Sequence, residues 1–187
     1  MNDFPEQATL IIVDVQQGFS NHNRYNPNAE ANVGRLLAHW RATNRPLYHI
    51  QHHSTEPDSP LRPDQPGVNF QPIAEPQPGE PVIIKHVNSA FIGTNLEQRL
   101  RDAEIDTLVI CGLTTEHCVS TTVRMAGNLG FRVFLAGDAT AAFAKTSHDG
   151  THIPAQQVYQ TALANLHNEF ATVLNTTDLL QWAATSE

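Results

Sequence analysis

The stretch TLVICGLTTEHCVSTTVRMAGNLG, residues 107–130, decides the fold. It opens as an apolar, β-branched run, passes through Gly-Leu-Thr-Thr, and closes with apolar residues at helical spacing. A buried strand followed at once by a helix is half of a βαβ unit, and Cys118 stands at the join.

The same alternation extends in both directions. ATLIIVD (8–14), RPLYHIQ (45–51), EPVIIK (80–85), DTLVICG (106–112), FRVFLAGD (131–138) and FATVLN (170–175) read as strands. Helices are expected from Asn28 to Thr43, over TNLEQRLRDAE (94–104), from Glu116 to Leu129, from Pro154 to about His167 and over TTDLLQWAA (176–184). Thr94 and Glu97 have capping-box spacing, and Pro154 suits a first helical turn. Near-continuous apolar strands between helices indicate a parallel sheet covered on both faces, hence a three-layer α/β/α architecture. With 187 residues the chain suits one domain over its whole length.

One segment breaks the pattern. His53 to Glu80 holds seven of the twelve prolines, with five acids against one arginine. A loop that long is either functional or an interaction arm, or else a Pro-stiffened solvated excursion. If it overhangs a pocket, its field favours neutral or cationic ligands.

Composition excludes several classes. A formal charge of −8 argues against nucleic acid or an anionic membrane as partner. No apolar run approaches the ~20 residues of a membrane span. The opening MNDFPEQATLIIVD lacks a basic segment followed by an apolar run, so a cytoplasmic location is expected. Two cysteines give no disulfide framework.

Ligands of open parallel sheets bind beyond the carboxyl ends of the strands. Asp14 ends the first strand, Lys85 ends the third, and Cys118 follows the fourth. A helix start and a lysine favour thiolate over thiol, and a carboxylate can take the thiol proton and return it to a leaving amine. Backbone N–H groups of Thr114 and Cys118 are candidates for holding an oxyanion. The set suits acyl transfer through a thioester. Gln16, Phe19, Phe91 and His117 lie close to these three in sequence and are candidate substrate contacts. Each also has a structural reading, Gln16 as a loop cap and the phenylalanines as ordinary core. Cys111, mid-strand, reads as core, and Asp138 as a turn-former.

The combination Asp14-x-Gln16-x-x-Phe19, Lys85-x-x-x-Ser89-Ala90-Phe91 and Gly112-x-x-Thr115-x-x-Cys118-Val119 resembles the isochorismatase-like cysteine hydrolase superfamily, which includes nicotinamidases, N-carbamoylsarcosine amidases and ureidoacrylate amidases. The resemblance implies an Asp14–Lys85–Cys118 triad and a cis peptide at Leu113–Thr114. It also implies the sheet order 3-2-1-4-5-6 and a homodimer or homotetramer. Nicotinamidase relatives carry a metal-binding Asp-x-His pair after the second strand, where this chain reads YHIQHHSTEPDS (48–59). The histidines have no metal-site spacing, so no metal and no cofactor are expected. The reading is a cofactor-independent amidohydrolase for a small molecule. Its alternatives are isochorismatase-type vinyl ether hydrolysis and a catalytically silent binding or assembly member of the fold.

Overall fold

The computed structural model describes residues 5, 7–20 and 23–184. The opening residues on which the cytoplasmic expectation partly rests, 1–4 and 6, lie outside that range. None of its helices is long and apolar enough to cross a membrane.

Strand β1 (Thr9–Val13) runs through the middle of the sheet with every residue buried. It is followed by β2 (Arg24–Tyr25), α1 (Ala29–Ala42), β3 (Leu47–His52), β4 (Val82–Lys85), α2 (Leu96–Asp102) and β5 (Thr107–Leu113). Then come α3 (Ser120–Asn128), β6 (Arg132–Phe143), β7 (Lys145–Thr146), β8 (His152–Ile153), α4 (Ala155–Leu166), β9 (Thr172–Leu174) and α5 (Thr176–Ala184). Six parallel strands lie in the order β4-β3-β1-β5-β6-β9, which is the order 3-2-1-4-5-6 of the major strands. The two-residue β2 adds an antiparallel strand beside the far half of β6, and β7 and β8 form a separate small hairpin.

Alternation along the strands makes the layers. Leu10, Ile12, Val109 and Cys111 pack with Leu36, Leu37 and Trp40 of α1 and Leu179 and Ala183 of α5. Ile11, Val13, Leu108 and Ile110 pack on the other face with Leu96 and Leu100 of α2, Val123 of α3 and Leu166 of α4. Cys111 and Cys118 belong to these opposite faces, and both are free thiols.

Several boundaries differ from the sequence expectation, each for a local reason. β6 continues five residues past Asp138, because a register shift opposite Ile110–Gly112 lets it re-pair with Gly112 and Leu113. Asp138 therefore lies within a strand, where its carboxylate accepts the backbone N–H and the hydroxyl of Thr176, each at 2.7 Å, and anchors the start of α5. The helix after Thr94 begins at Leu96, with the Thr94 hydroxyl accepting the Leu96 N–H. The helix after β5 begins as a wide turn, Thr115–Val119, in which the Thr114 carbonyl accepts both the His117 and the Val119 N–H.

The proline-rich segment is packed down. Leu61, Val68, Phe70 and Ala74 are buried, Gln71 N–H donates to the Val15 carbonyl, and Gln17 N–H donates to Asn69. Its far end is held by Glu80, which takes Arg41 through two nitrogens (2.7 and 2.8 Å) and buried His49 at 2.8 Å. The apolar residues set among the prolines explain why the segment folds against the loop after β1.

Candidate active site

Four strand ends converge on one rim. Asp14 directly follows β1 with φ of 50°, a left-handed conformation that aspartate tolerates better than most residues. Its N–H still donates to the Ile50 carbonyl, so the turn costs no hydrogen bond. Next to it, Gly112 of β5 has φ of 121°, and a Cβ there would stand 2.0 Å from the Val13 carbonyl oxygen. Only glycine lets β5 approach β1 that closely. The next peptide bond, Leu113–Thr114, is cis, and the wide turn that follows carries Cys118.

Lys85 ends the outer strand β4, two strands away from Asp14. Neighbouring strands lie about 4.8 Å apart, so the ammonium must cross roughly 10 Å, which an extended lysine can do. It does so wholly inside the protein. Nζ lies 2.7 Å from Asp14 Oδ2, and both side chains are 0% exposed. Cys118 is buried, and its sulfur lies no more than 4.8 Å from an Asp14 carboxylate oxygen and from a His52 ring nitrogen.

The electrostatics correct one expectation. Cys118 stands near a helix start and a lysine, yet its thiol is pushed up to about 12. Burial is the first cause and the Asp14 charge the second, and together they outweigh Lys85. Burial and the Asp14 charge therefore push this sulfur toward the thiol form. Burial also lifts the Asp14 carboxyl above its ordinary range, against the pull of Lys85. A carboxyl poised in this way can exchange a proton with its neighbour. Cys111 is raised further by complete burial, consistent with its place in the core.

From sequence, His52 reads only as a pocket wall or a solvated residue, and Asn88 is not marked at all. His52 ends β3, and its Nδ1 lies 2.8 Å from Lys85 Nζ. Burial first, then the Lys85 charge, hold its pKa down to about 4, so the ring is neutral. The strand-end rule would have found it had the second strand been read one residue longer, to His52 instead of Gln51. Asn88 donates from Nδ2 to the Cys118 sulfur at 3.6 Å. It occupies a variable position of the Lys-x-x-x-Ser-Ala-Phe motif, and nothing in the sequence marks it.

The remaining candidates separate. Gln16 is fully buried, and its amide nitrogen donates to the carbonyls of His52 (3.0 Å) and Val68 (2.7 Å) while its oxygen accepts the His52 N–H (2.9 Å). Its side-chain amide is thus committed to backbone groups. Phe91 is core, stacked on Phe131 in the same apolar cluster as Cys118. Phe19 is half-buried against Ala29, Leu113 and Ala141. His117 is exposed and meets Lys145, which also pairs with Glu116, rather than the sulfur. The acidic field of the long loop is reduced at Glu80, which pairs with Arg41 of α1.

His52, His53 and His86 lie together at the end of β3, with the rings of the last two 6.2 Å apart. His49 turns to Glu80, and His53 reaches Gln51. Among the described residues, three metal-capable side chains come together at Asp14, His52 and Cys118. The Lys85 ammonium already lies against two of these three, so a cation of the chain's own fills that donor set.

Comparison with known proteins places the fold in a family. A sequence model described as the isochorismatase domain matches residues 8–178. The isochorismatase family protein YrdC of Bacillus subtilis is 47% identical over 178 residues, 94% of this chain and 95% of that protein. A crystal structure of an isochorismatase-family protein from Chromobacterium violaceum superposes with a TM-score of 0.94 at 44% identity, covering 98% of this chain and 97% of that one. Streptothricin hydrolase of Streptomyces noursei is 35% identical over 142 residues, 74% of this chain and 56% of that protein. The chain belongs to the isochorismatase family and is a hydrolase of that family.

Proposed function

We propose that this hydrolase is a cysteine-dependent amidohydrolase that cleaves a C–N bond of a small molecule through a thioester. One observation carries the reading. A buried carboxylate, paired to a buried ammonium, stands within 4.8 Å of the Cys118 sulfur in the turn after β5.

In the proposed cycle, Asp14 takes the Cys118 proton as the sulfur attacks the substrate carbonyl carbon. The N–H groups of Thr114 and Cys118 receive the oxyanion. Asp14 then delivers its proton to the leaving nitrogen as the C–N bond breaks, leaving a thioester. A water molecule, deprotonated by Asp14, attacks the thioester carbonyl; the C–S bond breaks and the sulfur regains its proton. Lys85 steadies Asp14 through both charge states. No metal enters the cycle, so turnover is expected to survive prolonged chelation. The similarity to streptothricin hydrolase supports a hydrolytic role for this site.

The raised Asp14 pKa also suits a second reading, in which a protonated carboxyl protonates a vinyl ether and the thiol is dispensable. Turnover of a panel of primary amides, ureido compounds and lactams, read by ammonia release or ring opening, separates the two. The amidase reading expects C118A to abolish turnover and mass spectrometry of quenched enzyme to find an acyl adduct on Cys118. An active C118A variant would select the vinyl ether chemistry.

A further inference from the structure

The Lys85 ammonium has three N–H groups and three polar partners, an ion pair with Asp14 and hydrogen bonds to His52 and Val87. Asp14 Oδ2 lies at 2.7 Å, His52 Nδ1 at 2.8 Å and the Val87 carbonyl at 3.1 Å. An imidazole nitrogen that accepts from an ammonium must present its lone pair, which puts the ring proton on Nε2 and makes the ring neutral. The backbone of His52 is in turn held at both its N–H and its carbonyl by the buried Gln16 amide, which also donates to Val68 of the long loop. A continuous set of hydrogen bonds therefore runs from that loop through Gln16 and His52 to the lysine.

We propose that His52 is a positioning residue, whose neutral Nδ1 fixes the Lys85 ammonium beside Asp14 and Cys118. This rests on the amidohydrolase reading of the site. The chemistry explains why the acceptor is an imidazole. A buried ammonium with an unanswered N–H is costly, so a third acceptor is needed. A second carboxylate would satisfy the N–H but would place another negative charge beside a sulfur that must become a thiolate. A neutral ring supplies the lone pair without the charge. The ionisable groups around it are Lys85, Asp14, Cys118, His53 and His86.

The test uses variants that separate acceptor from charge. H52N keeps an oxygen acceptor near the place of Nδ1, H52L removes it, and H52D keeps it but adds a charge. The first measurement is the rate at which iodoacetamide labels Cys118 at pH 8.5, mapped by peptide mass spectrometry. H52L is expected to slow labelling about fivefold or more, because the thiolate loses its fixed countercharge. H52D should slow it at least as much, and H52N should recover most of the wild-type rate. The second measurement uses the best substrate of the amide panel, on which H52L should lower kcat tenfold or more with KM within about twofold, again recovered by H52N.

Wild-type labelling and turnover in H52L would overturn the proposal, as would an H52N variant as impaired as H52L. Should H52L fail to fold, as judged by circular dichroism, H52D against H52N decides, and equal labelling of those two overturns the need for a neutral ring. Labelling requires no substrate. If the labelling order holds while no amide is turned over, the amidohydrolase reading fails and the positioning stands. If Cys118-dependent turnover is found but neither measurement responds to His52, the positioning fails alone.

Discussion

Replacing Asp14 by asparagine should make Cys118 more reactive and the enzyme less active. The carboxylate oxygen and the sulfur are at most 4.8 Å apart. At an effective dielectric of about 20, two like charges at that distance repel by roughly 3 kcal/mol. That is about two pKa units, by which the thiol, pushed up by burial and by Asp14, should titrate lower in D14N. The thiolate fraction at pH 8 would then rise roughly 100-fold. A less basic thiolate is also a weaker nucleophile, by about half the change on a logarithmic scale, which leaves labelling by iodoacetamide about tenfold faster. Lys85, left without its carboxylate, acts in the same direction. Turnover should fall by a factor of roughly 10² to 10⁴, because the thiol has lost its proton acceptor. The assay is the pH dependence of Cys118 labelling from pH 7 to 11, with fully buried Cys111 in the same digest as internal reference. Labelling in D14N that is slower than wild type, or unchanged at every pH, would refute the argument. It would mean that Asp14 carries no charge felt by the sulfur.

Three further outcomes are expected. Gly112→Ala places a methyl 2.0 Å from the Val13 carbonyl oxygen at a positive φ, and should cost about 3 kcal/mol or more, seen as a Tm lower by roughly 6–12 °C. Glu80 is held down to about 2, first by Arg41, so its contribution is fully present above the ordinary value of 4.5 and is lost as the pH falls through about 2. E80Q should therefore be less stable than wild type by about 1–2 kcal/mol at neutral pH, and the gap in urea unfolding should close on acidification below about pH 4.5. Asn88→Ala removes the donor 3.6 Å from the sulfur, and should slow Cys118 labelling by about 3- to 10-fold with little change in Tm.

The sheet was legible because burial is written into the residues themselves. A parallel strand covered on both faces must be apolar nearly throughout, and Thr9–Val13 and Thr107–Leu113 have every residue buried. The convergence of Asp14, Lys85 and Cys118 followed from the rule that function gathers at strand ends. Short elements such as β2 and β7–β8 were not legible, since two residues carry no periodicity and form only because β6 and each other are already in place. The site was half legible for a related reason. Residue types announce what a group can do, but its charge state depends on what surrounds it. From sequence, a helix start and a lysine favour thiolate at Cys118; in the fold, burial and the Asp14 carboxylate push the thiol the other way. His52 shows the same gap from the other side. Read as a histidine at a strand end, it is a pocket wall or a solvated residue. Only its backbone, tied by Gln16, and its Nδ1 at 2.8 Å from Lys85 turn it into a member of the charge arrangement. The groups that surround the Cys118 sulfur come from four strands, and no pattern within any one of them could carry that information.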